Sequence, residues 1–121
     1  MNKQAVRDVP DGVATAVSNV RVRFLAKLEE RADDLFDDLE ALSDAQGDGA
    51  IEEAFTTLSA KVHKLHGLAG AIGFPRVGAL AAKIENHIDL LLNGTRPLET
   101  SFVQDLLNEL LDEIERVQDE E

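Results

Sequence analysis

Cysteine, tyrosine and tryptophan are absent from this chain of 121 residues, and five phenylalanines supply all its aromatic surface. Without cysteine there is no disulfide and no thiolate metal site. Scarce aromatics argue against a β-sandwich and against a single-stranded nucleic-acid platform. A core built from Leu, Val, Ile and Ala suits packed helices instead. Proline occurs only at Pro10, Pro75 and Pro97, each placed where a helix could begin. No run approaches the roughly 20 apolar residues that span a bilayer. Met1 to Asp11 also lacks the apolar stretch of a signal peptide. A cytoplasmic location is the default expectation. Positive charge is scarce too: 12 Lys and Arg stand against 24 Asp and Glu, for a net charge of −12. Such a chain repels nucleic acid and anionic membrane, so neither is expected as a partner.

What remains is helical periodicity. Four stretches repeat their apolar residues by threes and fours. The first carries Phe24, Leu25, Leu28, Ala32, Leu35, Phe36, Leu39 and Leu42; Ser18 or Asn19 could cap its start, and Gln46-Gly47-Asp48-Gly49 ends it. Asp48 is the expected cap of a second helix, which buries Phe55, Leu58, Val62, Leu65, Ala69 and Ile72 and stops at Gly73. Pro75 opens a third, with Val77, Leu80, Ala81, Ile84, Ile88 and Leu91 inside and Asn93-Gly94 as its end. After Pro97 a fourth carries Phe102, Leu106, Leu110, Ile114 and Val117, flanked by Val103, Leu107 and Leu111. Asp11 to Val17 reads as a short capping helix. Short connections make neighbours antiparallel, so the expected fold is all-α: an up-down four-helix bundle with a short N-terminal capping helix. One domain is expected over residues 1–121, with its core at about 19–118. Glu29, Glu30, Asp33, Asp34, Asp37 and Asp38 fall off the apolar stripe and read as a solvated face.

Charge is uneven. Between Ala54 and Ile84 there is no Asp or Glu, while Lys61, Lys64, Arg76 and Lys83 give the window +4 and leave −16 on the remainder. His63 and His66 lie in this window. An acidic protein that clears carboxylates from one region makes room for an anion there; the bland alternative is that two central helices avoid charge. Val62 and Leu65 point inward, so His63 and His66 lie at the rim of the second helix. The helical neighbours of His63 are Thr56, Ser59, Ala60, His66, Gly67 and Gly70, all small except His66. A glycine inside a helix costs about 1 kcal/mol relative to Ala, so Gly67 and Gly70 need a reason. Either they keep the imidazole face open to a bulky partner, or they let another helix pack closely.

The segment His63-Lys64-Leu65-His66-Gly67-Leu68-Ala69-Gly70-Ala71-Ile72-Gly73 resembles the signature of histidine phosphotransfer (HPt) domains. That signature is a His, then Leu two on, Lys three on, Gly four on and Gly ten on. His63, Leu65, Gly67 and Gly73 match in identity and spacing, and Val77 to Glu85 is similar to the family's run of small and aliphatic residues ending in Glu. The resemblance implies a four-helix bundle that carries a phosphoryl group on His63, with Lys64, His66, Gly67 and Gly70 in support. It also implies receiver domains of response regulators and a (hybrid) histidine kinase as partners, a monomeric state, and bacterial-type two-component signalling. His66 stands where the family usually has Lys. An imidazole titrating near a pKa of about 6.5 is mostly neutral at pH 7, so Lys64 or Arg76 is the candidate source of charge.

No Gly-rich nucleotide loop is present, so no ATP binding or autonomous kinase activity is expected. No carboxylate and hence no Mg²⁺ site is expected near His63, which leaves the metal to the partner receiver and no cofactor to this chain. Exposed apolar residues at the rim, Leu68 among them, would complete the docking surface. Two rival readings use the same residues. A metal-binding bundle would employ His63 and His66 with Glu85 or His87. A protein-binding module would leave His63 unmodified. Met1 and the acidic C-terminus point to a free-standing chain.

Overall fold

The structure, a computed structural model, describes residues 11–120. Four helices follow in order: α1 (Asp11–Asp44), α2 (Asp48–Ile72), α3 (Pro75–Leu92) and α4 (Ser101–Glu120). Contacts between neighbouring helices run in opposite senses along the chain. Arg21 reaches the carbonyl of Ile72 and Lys61 reaches Asp38 across α1 and α2, while Arg76 meets Glu113 and His87 meets Phe102 across α3 and α4. Gln104 of α4 donates to Ser43 of α1 and closes the ring. Each helix therefore packs antiparallel on the next, and the bundle is the expected up-down type.

All four apolar stripes meet in one core, centred on side chains such as Leu28, Phe55, Leu58, Ile84, Leu107 and Ile114. Burial of this apolar surface, not helix propensity, is what holds helices of this length together. The closest pairing is α2 with α3, and Gly78 accounts for it. A Cβ at Gly78 would lie 3.4 Å from the Gly70 nitrogen and 3.6 Å from the His66 carbonyl oxygen. A methyl would just fit there, and anything larger would strike the backbone of α2.

The helix ends differ from expectation in two places. Asp11 to Val17 is helical, but it runs unbroken into α1, so neither a separate capping helix nor a boundary at Ser18 or Asn19 exists. Nothing between Asp11 and Phe24 breaks a helix: the stretch has no proline, and its one glycine, Gly12, lies in the first turn. Asp48 is the first residue of α2, not its cap. Gly47 takes the cap position at φ 87°, a backbone region glycine occupies without a Cβ penalty, and its carbonyl accepts from Ile51. The other ends fall as expected. Gly73 closes α2 in the left-handed conformation at φ 97°, with its N–H on Ala69, and Pro75 opens α3.

Three side chains leave the places the periodicity gave them. Phe36 and Phe102 are exposed, at 51% and 46%, instead of joining the core. In α1 the inward path goes through Leu35, Asp38 and Leu42, and Phe36, one step round from Leu35, falls outside it. Phe102 lies over the His87 ring, with centroids 4.5 Å apart, while Val103 takes the buried position. Asp38 is buried, not part of a solvated face: the Lys61 ammonium lies 3.0 Å from its Oδ2. Glu113 is a second buried carboxylate, 5% exposed, and accepts hydrogen bonds from Arg76 and Arg116. The Arg116 bonds, seconded by Arg76, hold its carboxyl below the usual carboxylate range against the opposing push of burial. Among the described residues no helix is long and apolar enough to cross a membrane.

Candidate functional site

Val62 and Leu65 are buried in α2, and this fixes the direction of the residues between and beside them. His63 emerges at the α2–α3 edge with its side chain 74% exposed, and His66 follows on the next turn. From α3, Glu85 reaches across. Its Oε2 lies 2.6 Å from Nδ1 of His63, and its Oε1 lies 3.7 Å from Nδ1 of His66. The first is a hydrogen bond and the second is an ion-pair distance too long for one.

An ionised carboxylate can only accept, so the proton of the His63 ring belongs on Nδ1. That bond fixes the tautomer: Nε2 is left with its lone pair and faces away from the bundle. Glu85 itself is largely covered, its side chain 21% exposed, so the pair joins a sheltered acceptor to an open ring.

Outside the metal reading no carboxylate was expected near His63, and this is corrected. The acid-free window ends at Ile84, one residue short of Glu85. The register of α2 on α3, set by Gly78 beside Gly70 and His66, brings Glu85 opposite His63. The signal was Gly78, the one glycine of α3, which marks where two backbones meet. Gly67 and Gly70 were the glycines considered for that part, and they do not play it: a Cβ at either would meet nothing within 4 Å. Both are exposed on the surface of α2.

The cations divide. Arg76 is turned away to Glu113 on α4, and Lys61 is held by Asp38, so neither supplies charge at His63. Arg76 is thereby corrected as a source of charge for the site. Lys64 lies beside His63 and lines a surface notch of about 340 Å³ between α1 and α2 together with Arg31 and Lys61. Leu68 is partly buried against the core instead of standing free at the rim.

The metal reading loses its geometry as well. His87 faces α4 and packs on Phe102, away from His63. Among the described residues, no group of three or more His, Cys, Asp or Glu side chains is arranged to hold a metal ion.

Fold and site together define a helical bundle that presents one carboxylate-oriented imidazole on its surface. The family model described as Hpt domain matches residues 23–120. The chain belongs to that family, and with it to the phosphotransfer proteins of two-component signalling; Hpt domains in general work with receiver domains and kinases. No curated protein and no solved structure matches the chain significantly.

Proposed function

We propose that this chain relays a phosphoryl group between receiver-domain aspartates, carrying it on Nε2 of His63. The observation behind the reading is the His63–Glu85 bond of 2.6 Å with the far side of the ring open. In the step itself the Nε2 lone pair attacks the phosphorus of an aspartyl phosphate. The P–O bond breaks and its electron pair leaves on the aspartate, while a P–N bond forms. The ring becomes a phosphoimidazolium that keeps its proton on Nδ1, hydrogen-bonded to Glu85, and that carboxylate offsets the positive charge formed on the imidazole. Transfer to a second aspartate runs the same step backwards.

In-line transfer needs charge neutralisation at the phosphoryl oxygens. The divalent metal for this comes with the receiver, since the one carboxylate at the site is engaged by His63. Lys64, the next residue along α2, adds a positive charge to this stretch of the helix, His66 a hydrogen-bonding ring, and Gly67 and Gly70 clear the approach. The relay runs between a (hybrid) histidine kinase and response-regulator receivers in the cytoplasm, with the chain as a monomer.

The test is mass spectrometry at neutral pH after incubation with a phosphorylated receiver domain. With the adduct mapped to its residue, an acid-labile phosphoryl group on His63 of the wild type is the expected result. A wild type whose His63 stays unlabelled with several donors would overturn it.

A further inference from the structure

The surroundings of His63 are repeated one turn further along α2. Gly67 follows His63 by four residues, and Gly70 follows His66 by four. At each glycine an added Cβ would meet nothing within 4 Å, so neither position is held small by packing. Both rings are exposed, at 74% and 50%. Both turn Nδ1 toward the same carboxylate, Oε2 of Glu85 to His63 and Oε1 to His66. His87 differs: it is partly covered and packed on Phe102, has no glycine four residues on, and has Glu99, not Glu85, as its acidic neighbour.

We propose that His66 is a second phosphoacceptor, served by the same carboxylate as His63 and used in alternation with it. This rests on the reading of His63 as a carrier and extends it to a two-position site. In the structure Glu85 is committed to His63. Closing the 3.7 Å gap to His66 needs a shift of about 1 Å to reach hydrogen-bond distance, within the freedom of a glutamate side chain. Once Nδ1–H of His66 donates to Oε1, its Nε2 is the nucleophile, as at His63. Two phosphoryl dianions three residues apart on one helix face would repel strongly, and one carboxylate cannot hold both rings equally well. Single occupancy is the consequence.

Phosphoramidate is a suitable probe because it needs no docking surface. The imidazole Nε2 attacks phosphorus, the P–N bond of the reagent breaks, and ammonia leaves with the electron pair. The Nδ1 proton remains on the ring. Site-resolved mass spectrometry would follow His66→Gln, His63→Gln, and His63→Gln with Glu85→Gln, with His87 as the internal reference. The expected result is labelling of His66 in His63→Gln within about tenfold of the rate of His63 in His66→Gln. His66 should also react at least about tenfold faster than His87, an advantage that Glu85→Gln removes. Wild type should accumulate one phosphoryl group, on either histidine. Labelling of His66 no faster than His87 would overturn the inference and leave His63 as sole carrier. Failure of His63 to react in His66→Gln would instead count against the carrier reading, and no labelling of any variant would remove both.

Discussion

Of the carboxylates that reach nitrogen-bearing side chains in this bundle, Glu113 and Glu85 do opposite things. Glu113 of α4 is buried and takes both Arg76 from α3 and Arg116 from its own helix. Its partners are permanently charged, every oxygen is engaged, and the result is a clamp between two helices. Glu85 of α3 is partly covered, and its partner is an exposed imidazole with a second nitrogen left over. The clamp spends all its bonding capacity on structure. The Glu85 pair uses half of the ring to orient the other half, and that spare nitrogen is where chemistry can happen. What separates a structural ion pair from a reactive one here is the chemistry of the nitrogen partner: Arg76 is as exposed as His63, at 72% against 74%, but has no lone pair to offer.

The comparison can be broken most severely at Glu85. Glu85→Gln keeps the size of the side chain but removes the charge that favours the Nδ1–H tautomer and the phosphoimidazolium. Phosphorylation of His63 by a phosphorylated receiver is expected to fall by about 10²-fold, in line with loss of an orienting carboxylate elsewhere. Stability in urea should change little. Glu113→Gln should do the reverse. Transfer rates stay within about twofold while stability falls by about 1–2 kcal/mol, read from urea unfolding at pH 7. Because the folded-state pKa of Glu113 is depressed, its contribution is present above the unfolded carboxylate value of about 4.3. It is lost as pH falls through the folded value, so wild type and Glu113→Gln should converge in stability in acid.

Gly67 tests the open face. A side chain there meets nothing within 4 Å, so Gly67→Leu should fold and gain up to about 1 kcal/mol of stability from helix propensity. Its transfer from a receiver should nevertheless slow by about tenfold or more, as a covered nitrogen cannot reach phosphorus in line. A variant that is both more stable and as fast as wild type would show that the glycine serves no approach. The smallest effect concerns His66→Lys. A lysine there carries a permanent charge on a flexible stem. At neutral pH labelling of His63 should therefore be a few-fold faster in the variant than in wild type; equal rates would remove an electrostatic role for residue 66.

Much of the bundle could be read from periodicity because four stripes at helical spacing leave few other ways to bury Leu, Val and Ile. Gly73, Pro75 and the Asn93-Gly94 end were legible for the same local reasons, in that each residue has one conformation it serves best. Phe36 and Phe102 were misplaced because hydrophobicity alone cannot tell which of two adjacent apolar residues faces the core. Asp38 and Glu113 hid inside acidic runs, where only the partner across the interface marks them as buried. At the site, His63 and the open glycines stood out in the sequence. Glu85 did not, since its part depends on the register of α3 on α2, a tertiary property for which Gly78 was the sole local sign.

Nitrogen-resolved NMR of protein labelled with ¹⁵N in its histidines tests the central claim most directly, before and after phosphorylation. The account predicts that free His63 carries its proton on Nδ1, and that the phosphoryl group then appears on Nε2 with the Nδ1 proton retained. A free ring protonated on Nε2, or a phosphoryl group on Nδ1 of His63, would contradict it.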